Sequence, residues 1–403
     1  MEKAVSILKE KIGSGARIRI VGDYDIDGVT ATYILLKGFK RLGANVDTYI
    51  PDRIADGYGI HNHLIEKAKE DGVDTIVTCD NGISAADQIA FAKKMGMTVV
   101  VTDHHEVPFE DTEEGRKYKL PLADAIINPK QPDCIYPNKN ICGAVVAMKL
   151  VFALYEKYGI PESEKEDYLE PAAIATVGDI MDLQGENRIL VKEGLLRLPH
   201  TKNKGLKALI RAIGLENQKI SSYDIGFRLG PCINASGRLD TAMRSLSLLQ
   251  CEDEEEAAKL ANDLKALNDS RKALTEQGTE AAYKLINGSD LKNDRVMVVF
   301  LPDCHESLAG IIAGRIREKY HKPAFVLTRG EKSVKGSGRS TENYSMYEEL
   351  VKCDSLLLQY GGHPMAAGLS IEEANVEEFR RQLNEKCTLT EEDMIPKIVI
   401  DVP

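Results

Sequence analysis

Carboxylates and imidazoles gather at four places along the chain. They are Asp23-Tyr24-Asp25-Ile26-Asp27-Gly28, Asp80-Asn81-Gly82, Asp103-His104-His105, and Val177-Gly178-Asp179-Ile180-Met181-Asp182. Singly, each has a structural explanation: Asp27 can cap a following helix, and Asp80-Asn81-Gly82 is good turn chemistry. Together they pose an electrostatic problem. Two carboxylates about 6 Å apart repel by roughly 3 kcal/mol at an effective dielectric near 20. Three or four converging carboxylates call for a cation among them. Carboxylates with one or two imidazoles and no thiolate suit Mn²⁺ or Mg²⁺, with Zn²⁺ also compatible, and the imidazoles tilt the choice to Mn²⁺. Two such ions about 3.5–4 Å apart activate a water and clamp a phosphoryl group for in-line displacement.

Convergence requires elements that carry these segments to one place. Arg17–Val21 is a β-branched run ending at Gly22-Asp23, and residues 28–42 have helical spacing up to Gly43. Strands are expected at 45–50, 73–78, 97–102 and 123–127, with helices at 60–70 and 83–95. Strand–helix alternation with short connections predicts an α/β fold with a doubly wound, mostly parallel sheet. Three clusters then follow strands, on the carboxyl rim where such sheets bind ligands. The fourth follows an apolar helical run, within a stretch (140–250) that reads as mostly helical. Five acids at 252–256 open a helical pattern to about residue 286, either a bridge between domains or a surface helix. Alternation restarts with a strand at 295–301, a helix at 306–320, strands at 324–328 and 333–340, a helix at 344–351 and a Gly-rich loop at 361–368. The expected organisation is a catalytic domain (1–250), a connecting long helix (251–290) and a second, smaller α/β domain (291–403).

The 403 residues allow two or three full-sized cores. Hydrophobic residues at 43% and charged residues at 29% exclude gross disorder. A net charge of −11 argues against a protein that coats nucleic acid by bulk charge. It leaves room for a local basic wall: residues 315–339 hold eight basic and two acidic side chains. No run approaches 18 apolar residues, so no membrane span is expected. The charged amphipathic start (residues 1–11) lacks the apolar core of a secretory signal. None of the eight cysteines forms a C-x-x-C pair, which excludes zinc-finger and thioredoxin readings and suits reduced thiols in the cytoplasm.

The ordered motifs Asp-Tyr-Asp-Ile-Asp-Gly, Asp-Asn-Gly, Asp-His-His and Gly-Asp-Ile resemble those of the DHH phosphoesterases, with a first motif of the RecJ type. The resemblance extends through Pro51-Asp52-Arg53, Gly57-Tyr58-Gly59 and Gly230-Pro231-Cys232-Ile233-Asn234-Ala235-Ser236-Gly237-Arg238. It ends with Gly336-Ser337-Gly338-Arg339-Ser340 and Gly361-Gly362-His363-Pro364, and so spans nearly the whole chain. It implies a catalytic core with a DHH-associated domain. The implied activity is metal-dependent 5′-to-3′ hydrolysis of single-stranded DNA to 5′-mononucleotides in DNA repair and recombination.

The same resemblance implies residue roles. Asp25, Asp27, Asp80, His104 and Asp179 would be ligands of two divalent cations, Mn²⁺ or Mg²⁺. His105 would sit beside the scissile phosphate, as ligand or charge stabiliser, and Asp23 would support the loop. Arg53, Ser337 and Arg339 would hold the terminal 5′-phosphate and Tyr58 would stack on a base. Asn234, Arg238 and His363 would face the scissile phosphate or the next ones. Residue chemistry agrees: arginine forks bind phosphate bidentately, and a tyrosine face stacks on any base. Partners would be 5′-phosphorylated single-stranded DNA and a single-stranded-DNA-binding protein or helicase, with no membrane. A rival class is a phosphodiesterase of short oligonucleotides or cyclic dinucleotides, against which the tyrosine in the first motif speaks. Two departures stand out. Cys232 occupies a position where the family has arginine. The chain also stops near Val402-Pro403, where bacterial members continue into an OB-fold, so weak strand retention is expected.

Overall fold

Strands buried on both faces need no polar alternation, and the first half of the chain uses this freedom. In the computed structural model, which describes residues 1–112, 115–397 and 400, β1 (Arg17–Val21), β3 (Thr75–Cys79) and β4 (Thr98–Thr102) are almost wholly buried. β2 (Asn45–Tyr49) and the short β7 (Ala125–Ile127) form the edges. The order β2-β1-β3-β4-β7 is parallel throughout. From β1 the chain runs out to β2, then returns to the other side of β1 to lay down β3. Strand order therefore reverses between β1 and β3, the place where an open α/β sheet leaves a crevice at its carboxyl ends. The expected α/β doubly wound sheet is present, in the unit Met1–Asn268.

The helices of this unit are α1 (Glu2–Gly13), α2 (Ile26–Arg41), α3 (Asn62–Glu70), α4 (Ala86–Lys94), α5 (Gly143–Tyr158), α6 (Leu169–Gly178), α7 (Gly185–Arg197) and α8 (Lys204–Ala212), followed by further helical segments. α2 packs closely on α5, within a core that includes Ile20, Ile34, Phe39, Val145 and Leu150. The approach depends on Gly38: a Cβ there would lie 2.6 and 2.7 Å from the methyls of Val151. This packing matters because the N-termini of both helices end at the acidic clusters.

Two features of this unit differ from expectation. α2 begins at Ile26, not at residue 28, because the Asp25 side chain caps it by accepting the Asp27 and Gly28 N–H groups. Asp27 therefore lies inside the first turn, not at the cap. A hairpin of β5 (Phe109–Thr112) and β6 (Gly115–Tyr118) was not expected. Its described residues are all exposed, so it has no apolar alternation to betray it. It rests on local contacts, with Phe109 and Tyr118 edge to face at 6.0 Å and Arg116 over Phe109.

The unit Asp269–Pro403 contains a mixed sheet in the order β11-β12-β10-β9-β8. β8 (Met297–Phe300) and β9 (Ala324–Arg329) are parallel; β10 (Val334–Arg339), β11 (Leu357–His363) and β12 (Ala366–Ile371) add antiparallel pairs. Phe325, Leu327, Leu369 and Phe379 fill one face. Val326 packs with Ile312 and Ile316, from helix Ala309–Tyr320, on the other. The Gly-rich loop expected at 361–368 is corrected to a strand pair, with Gly361 directly opposite Gly368. Glycine reads as a loop signal, yet facing glycines leave a flat floor with the ladder intact. The helical pattern from 252 is one helix, Glu254–Asn287. Residues 398, 399 and 401–403 of the expected second domain lie outside the described residues.

Gly38→Ala should overpack the α2–α5 contact and cost about 1–3 kcal/mol, seen as a lowered melting temperature. An unchanged melting temperature would contradict the close approach.

Candidate metal centre

The three clusters that follow β1, β3 and β4 emerge side by side at the switch point. After β1, Asp25 Oδ1 accepts the Asp27 and Gly28 N–H groups at 2.9 and 3.0 Å. Asp27 reaches across to α5, where its two oxygens accept the N–H groups of Gly143 and Ala144 at 2.6 and 2.8 Å. These are free donors at a helix N-terminus, where negative charge is favoured. After β3, Asp80 adopts the left-handed backbone conformation (φ +61°), uncommon for a non-glycine residue and typical of functional sites. Asn81 ties this turn to both strands through the Val21 and Cys79 carbonyls. After β4, Asp103 Oδ1 accepts from the His104 and His105 N–H groups and from His105 Nδ1, at 2.7–3.1 Å. Its Oδ2 accepts from Ile83 N–H. Asp103 is thus the holder of the two histidines. The fourth cluster enters from the end of α6, and Ile180, just after Asp179, is also left-handed (φ +57°).

These segments bring their ligand atoms together. His104 Nε2 lies 3.1 Å from Asp80 Oδ1, 3.5 Å from Asp27 Oδ2 and 3.6 Å from Asp179 Oδ2. Donors around one divalent ion, each about 2.0–2.2 Å from it, lie roughly this far apart. Ligand atoms of Asp23, Asp25 and Asp80 form a second group within 4.8 Å, and those of Asp80, His104 and His105 a third. Asp80 and His104 are shared, as in a centre with two adjacent ions. Asp23 Oδ1, Asp80 Oδ1, both ring nitrogens of His104 and Asp179 Oδ2 are buried without a hydrogen-bond partner. Such orphaned polar atoms are costly unless something else satisfies them, and a divalent cation fits this donor set.

Electrostatics agrees. Burial, reinforced by Asp27, Asp25 and Asp23, pushes the Asp80 carboxyl well above the usual range. Burial and Asp25 do the same to Asp23, and burial and Asp27 raise Asp25. Asp179 is raised to about 8 by burial and by Asp27 and Asp25. Burial lowers His104, keeping its imidazole neutral and fit to ligate. His105 moves the other way: burial opposes its charge, but the bond to Asp103 together with the charges of Asp103, Asp27 and Asp179 lifts it to about 9. His105 is therefore an imidazolium at neutral pH, beside the ligands.

The other expected site residues of this unit surround the first motif. Asn234, on helix Gly230–Leu239, accepts the Ile26 N–H through Oδ1 at 2.8 Å. Arg53 donates to the Gly237 carbonyl (3.0 Å) and stacks on Tyr24 at 3.8 Å. Arg238 lies on the same helix, with its charge acting on Tyr24. Tyr58 is half-exposed, its hydroxyl 3.3 Å from both the Asp80 carbonyl and His105 Nδ1. Cys232 is buried, its Sγ donating to the Arg228 carbonyl and accepting from Asn268 Nδ2, so the thiol serves packing. In the other unit, Ser337 and Arg339 share one face of β10 with Lys335, across from Gly368 and Ala366. His363 is exposed on β11. Arg339 is partly buried, and among the described residues no carboxylate pairs with it. Burial and the neighbouring Arg317 lower its pKa. The basic run at 315–339 is partly consumed within its own unit: Arg329 pairs with Glu373, Arg317 with Glu318, and Lys322 donates to the Asp294 carbonyl.

Sequence reasoning missed Gly143. A Cβ there would lie 2.8 Å from Asp80 Cβ and 3.0 Å from Asp27 Oδ2. A glycine opening a helix is a weak signal without knowledge of what faces it.

Residues 17–176 match the DHH family, N-terminal domain, and residues 293–389 the DHHA1 domain. A single-stranded-DNA-specific exonuclease RecJ of Escherichia coli (strain K12) is 38% identical over 408 residues, covering 96% of this chain and 69% of that protein. The chain belongs to the RecJ family. The RecJ of Bacillus subtilis (strain 168) is 37% identical over 406 residues, and the chain spans 50% of its length. A solved structure described as exonuclease RecJ bound to manganese matches with a TM-score of 0.82 at 35% identity, covering 95% of this chain and 93% of that one. The α/β fold with its parallel sheet is thus the fold of RecJ.

Two outcomes follow for the centre. The raised carboxyls of Asp80, Asp25, Asp23 and Asp179 stabilise the fold while protonated, and that stability is lost as pH rises, through about 8 for Asp179. A bound cation offsets the loss. Mn²⁺ should therefore raise the melting temperature of EDTA-treated protein more at pH 8 than at pH 6; equal shifts would contradict the shared charge. Gly143→Ala should fold but lose most of this Mn²⁺-dependent shift; a full shift would show that the close approach is not needed.

Proposed function

We propose that this chain is a metal-dependent exonuclease that hydrolyses single-stranded DNA from the 5′ end to 5′-mononucleotides, in DNA repair and recombination. The observation that carries the reading is the convergence of buried, unpartnered oxygens of Asp80 and Asp179 on His104 Nε2. Relatives at 35–38% identity that cover 94–100% of the chain bear the name of that activity, and related structures were solved with Mn²⁺ and with Mg²⁺.

In this reading Asp25, Asp27, Asp80, His104 and Asp179 hold two divalent ions, Mn²⁺ first and Mg²⁺ as an alternative. Asp23 joins them through its buried oxygen. The ions supply a nucleophile at neutral pH and charge stabilisation at the phosphoryl group. His105, held by Asp103 through Nδ1, keeps Nε2 for a phosphate oxygen and adds a positive charge. Asn234 spends its oxygen on Ile26 N–H and keeps its NH₂ for the strand, beside Arg238. Arg53 offers the fork left after its bond to Gly237, and Tyr58 its ring. Ser337, Arg339 and His363 in the other unit bind strand phosphates, which gives the uncompensated guanidinium of Arg339 its counter-charge. In the domain division we favour, residues 1–250 are catalytic, 251–290 connect, and 291–403 bind substrate. No helix among the described residues is long and apolar enough to cross a membrane. A cytoplasmic location and a single-stranded-DNA-binding protein or helicase as partner complete the proposal.

Incubation with Mn²⁺ and four substrates tests it: 5′-labelled single-stranded DNA, duplex DNA, dinucleotides and a cyclic dinucleotide. The expected result is release of 5′-mononucleotides from the single strand, reduced by about 100-fold or more in Asp80→Ala. Equal turnover by the variant would refute the metal centre. Faster cleavage of dinucleotides than of long strands would favour the oligonucleotide phosphodiesterase.

A further inference from the structure

Arg53 and Tyr58 lie five residues apart in a segment, 50–60, that contains neither helix nor strand. Both are assigned to substrate in the reading above. Something must hold an irregular loop in one shape, because an end-binding guanidinium and a stacking ring lose their use if either drifts.

Two carboxylates close this loop on itself. Asp52 Oδ1 accepts the Ile54 and Ala55 N–H groups at 2.9 and 2.8 Å, and its carbonyl accepts those of Asp56 and Gly57 at 3.0 Å. In return, Asp56 Oδ2 accepts the Asp52 N–H at 2.8 Å and the Tyr49 hydroxyl at 3.2 Å. Asp56 Oδ1 lies 2.8 Å from His63 Nε2. The Asp56 side chain is 12% exposed, so these partners replace most of its water. Burial raises the energy of its charge, yet the Asp52 N–H and His63 outweigh that and hold it below the usual carboxylate range. One carboxylate thereby joins the end of β2 (Tyr49), the start of α3 (His63, one residue after Asn62) and the loop between them.

We infer that Asp56 is the positioning residue of this loop, fixing Arg53 and Tyr58 as one rigid substrate-reading unit beside the metal ligands. It touches neither the ligands nor the substrate. The inference rests on the functional reading above for what Arg53 and Tyr58 bind, and it differs from that reading in assigning the geometry to Asp56. Asp52 serves the loop's first turn alone, whereas Asp56 ties the loop to the sheet and to α3.

The test compares the parent with Asp56→Ala and Asp56→Asn on two substrates. One is 5′-phosphorylated single-stranded DNA, which needs Arg53 and Tyr58; the other is bis(p-nitrophenyl) phosphate, which needs only the metal centre. Asp56→Ala should raise KM for DNA about ten-fold or more with a much smaller change in kcat, and leave turnover of the small diester within about two-fold. Asp56→Asn, which keeps one acceptor, should fall between. Added to the double variant Arg53→Ala/Tyr58→Ala, Asp56→Ala should cost less than about two-fold more, because the side chains it positions are already gone. Equal losses on both substrates, or a fully multiplicative effect on that double variant, would overturn the inference. Amide hydrogen exchange separates it from the nuclease reading. Faster exchange at residues 53–58 in Asp56→Ala, with the amides of β1 and β3 unchanged, is expected whether or not the parent cleaves DNA. Unchanged exchange would overturn the inference. A parent inactive on DNA overturns only the nuclease reading.

Discussion

Negative charge in a confined, buried space is the constraint on which the first unit is built. Asp23, Asp25, Asp27, Asp80 and Asp179 crowd together with His104, and Asp103 lies directly behind. The fold meets the excess with backbone donors before any ion arrives. Asp25 takes two N–H groups of its own helix, Asp27 takes two from α5, and Asp103 takes three backbone N–H groups and a histidine. Among the atoms left without donors, Asp80 Oδ1 and Asp179 Oδ2 face His104 Nε2 at 3.1 and 3.6 Å. The division of labour is physical: backbone dipoles offset the charge of Asp25, Asp27 and Asp103, while the unpartnered atoms of Asp80, His104 and Asp179 fit a cation.

The sheet topology makes the crowding cheap to assemble. Parallel strands send all their carboxyl ends to one rim, and reversal of strand order between β1 and β3 opens a gap there. The N-terminus of α5 enters at Gly143, and the absent side chain leaves the space that Asp80 and Asp27 occupy. In the second unit the same economy appears without metal ligands. Gly361 faces Gly368 across β11 and β12, and Gly368 in turn lies opposite Ser337 of β10, so three small residues stand in a row across the sheet.

The architecture was legible because it depends on patterns local in sequence: β-branched runs, helical spacing and turn residues at strand ends. The clusters holding Asp25, Asp27, Asp80, His104 and Asp179 were legible because each follows such a run, whereas the choice of these five within them came from the family resemblance; the structure brings the five side chains together. What the sequence concealed is whatever depends on two distant segments meeting. Asp27 looked like a helix cap, but it is Asp25 that caps; Asp27 serves a helix 116 residues away. Asp103 gave no sign of being a holder, because its role appears only once the His104 and His105 backbone and the His105 ring turn toward it. Gly361 and Gly368 read as loop for want of knowledge that they face each other. The hairpin of β5 and β6 was invisible because an element with no buried face leaves no pattern.

The hydrogen bond from Ile26 N–H to Asn234 has a temporal side. It spans 208 residues, and contacts of such separation form late because the intervening chain must first be ordered. A ribosome delivers the Asp-Tyr-Asp-Ile-Asp motif first and Asn234 only after most of the first unit has followed it. Until then the loop lacks one of its anchors and cannot settle. The acidic segment is therefore made well before its anchor and finished only once that anchor arrives, which leaves the crowded carboxylates unsettled while most of the first unit is being synthesised.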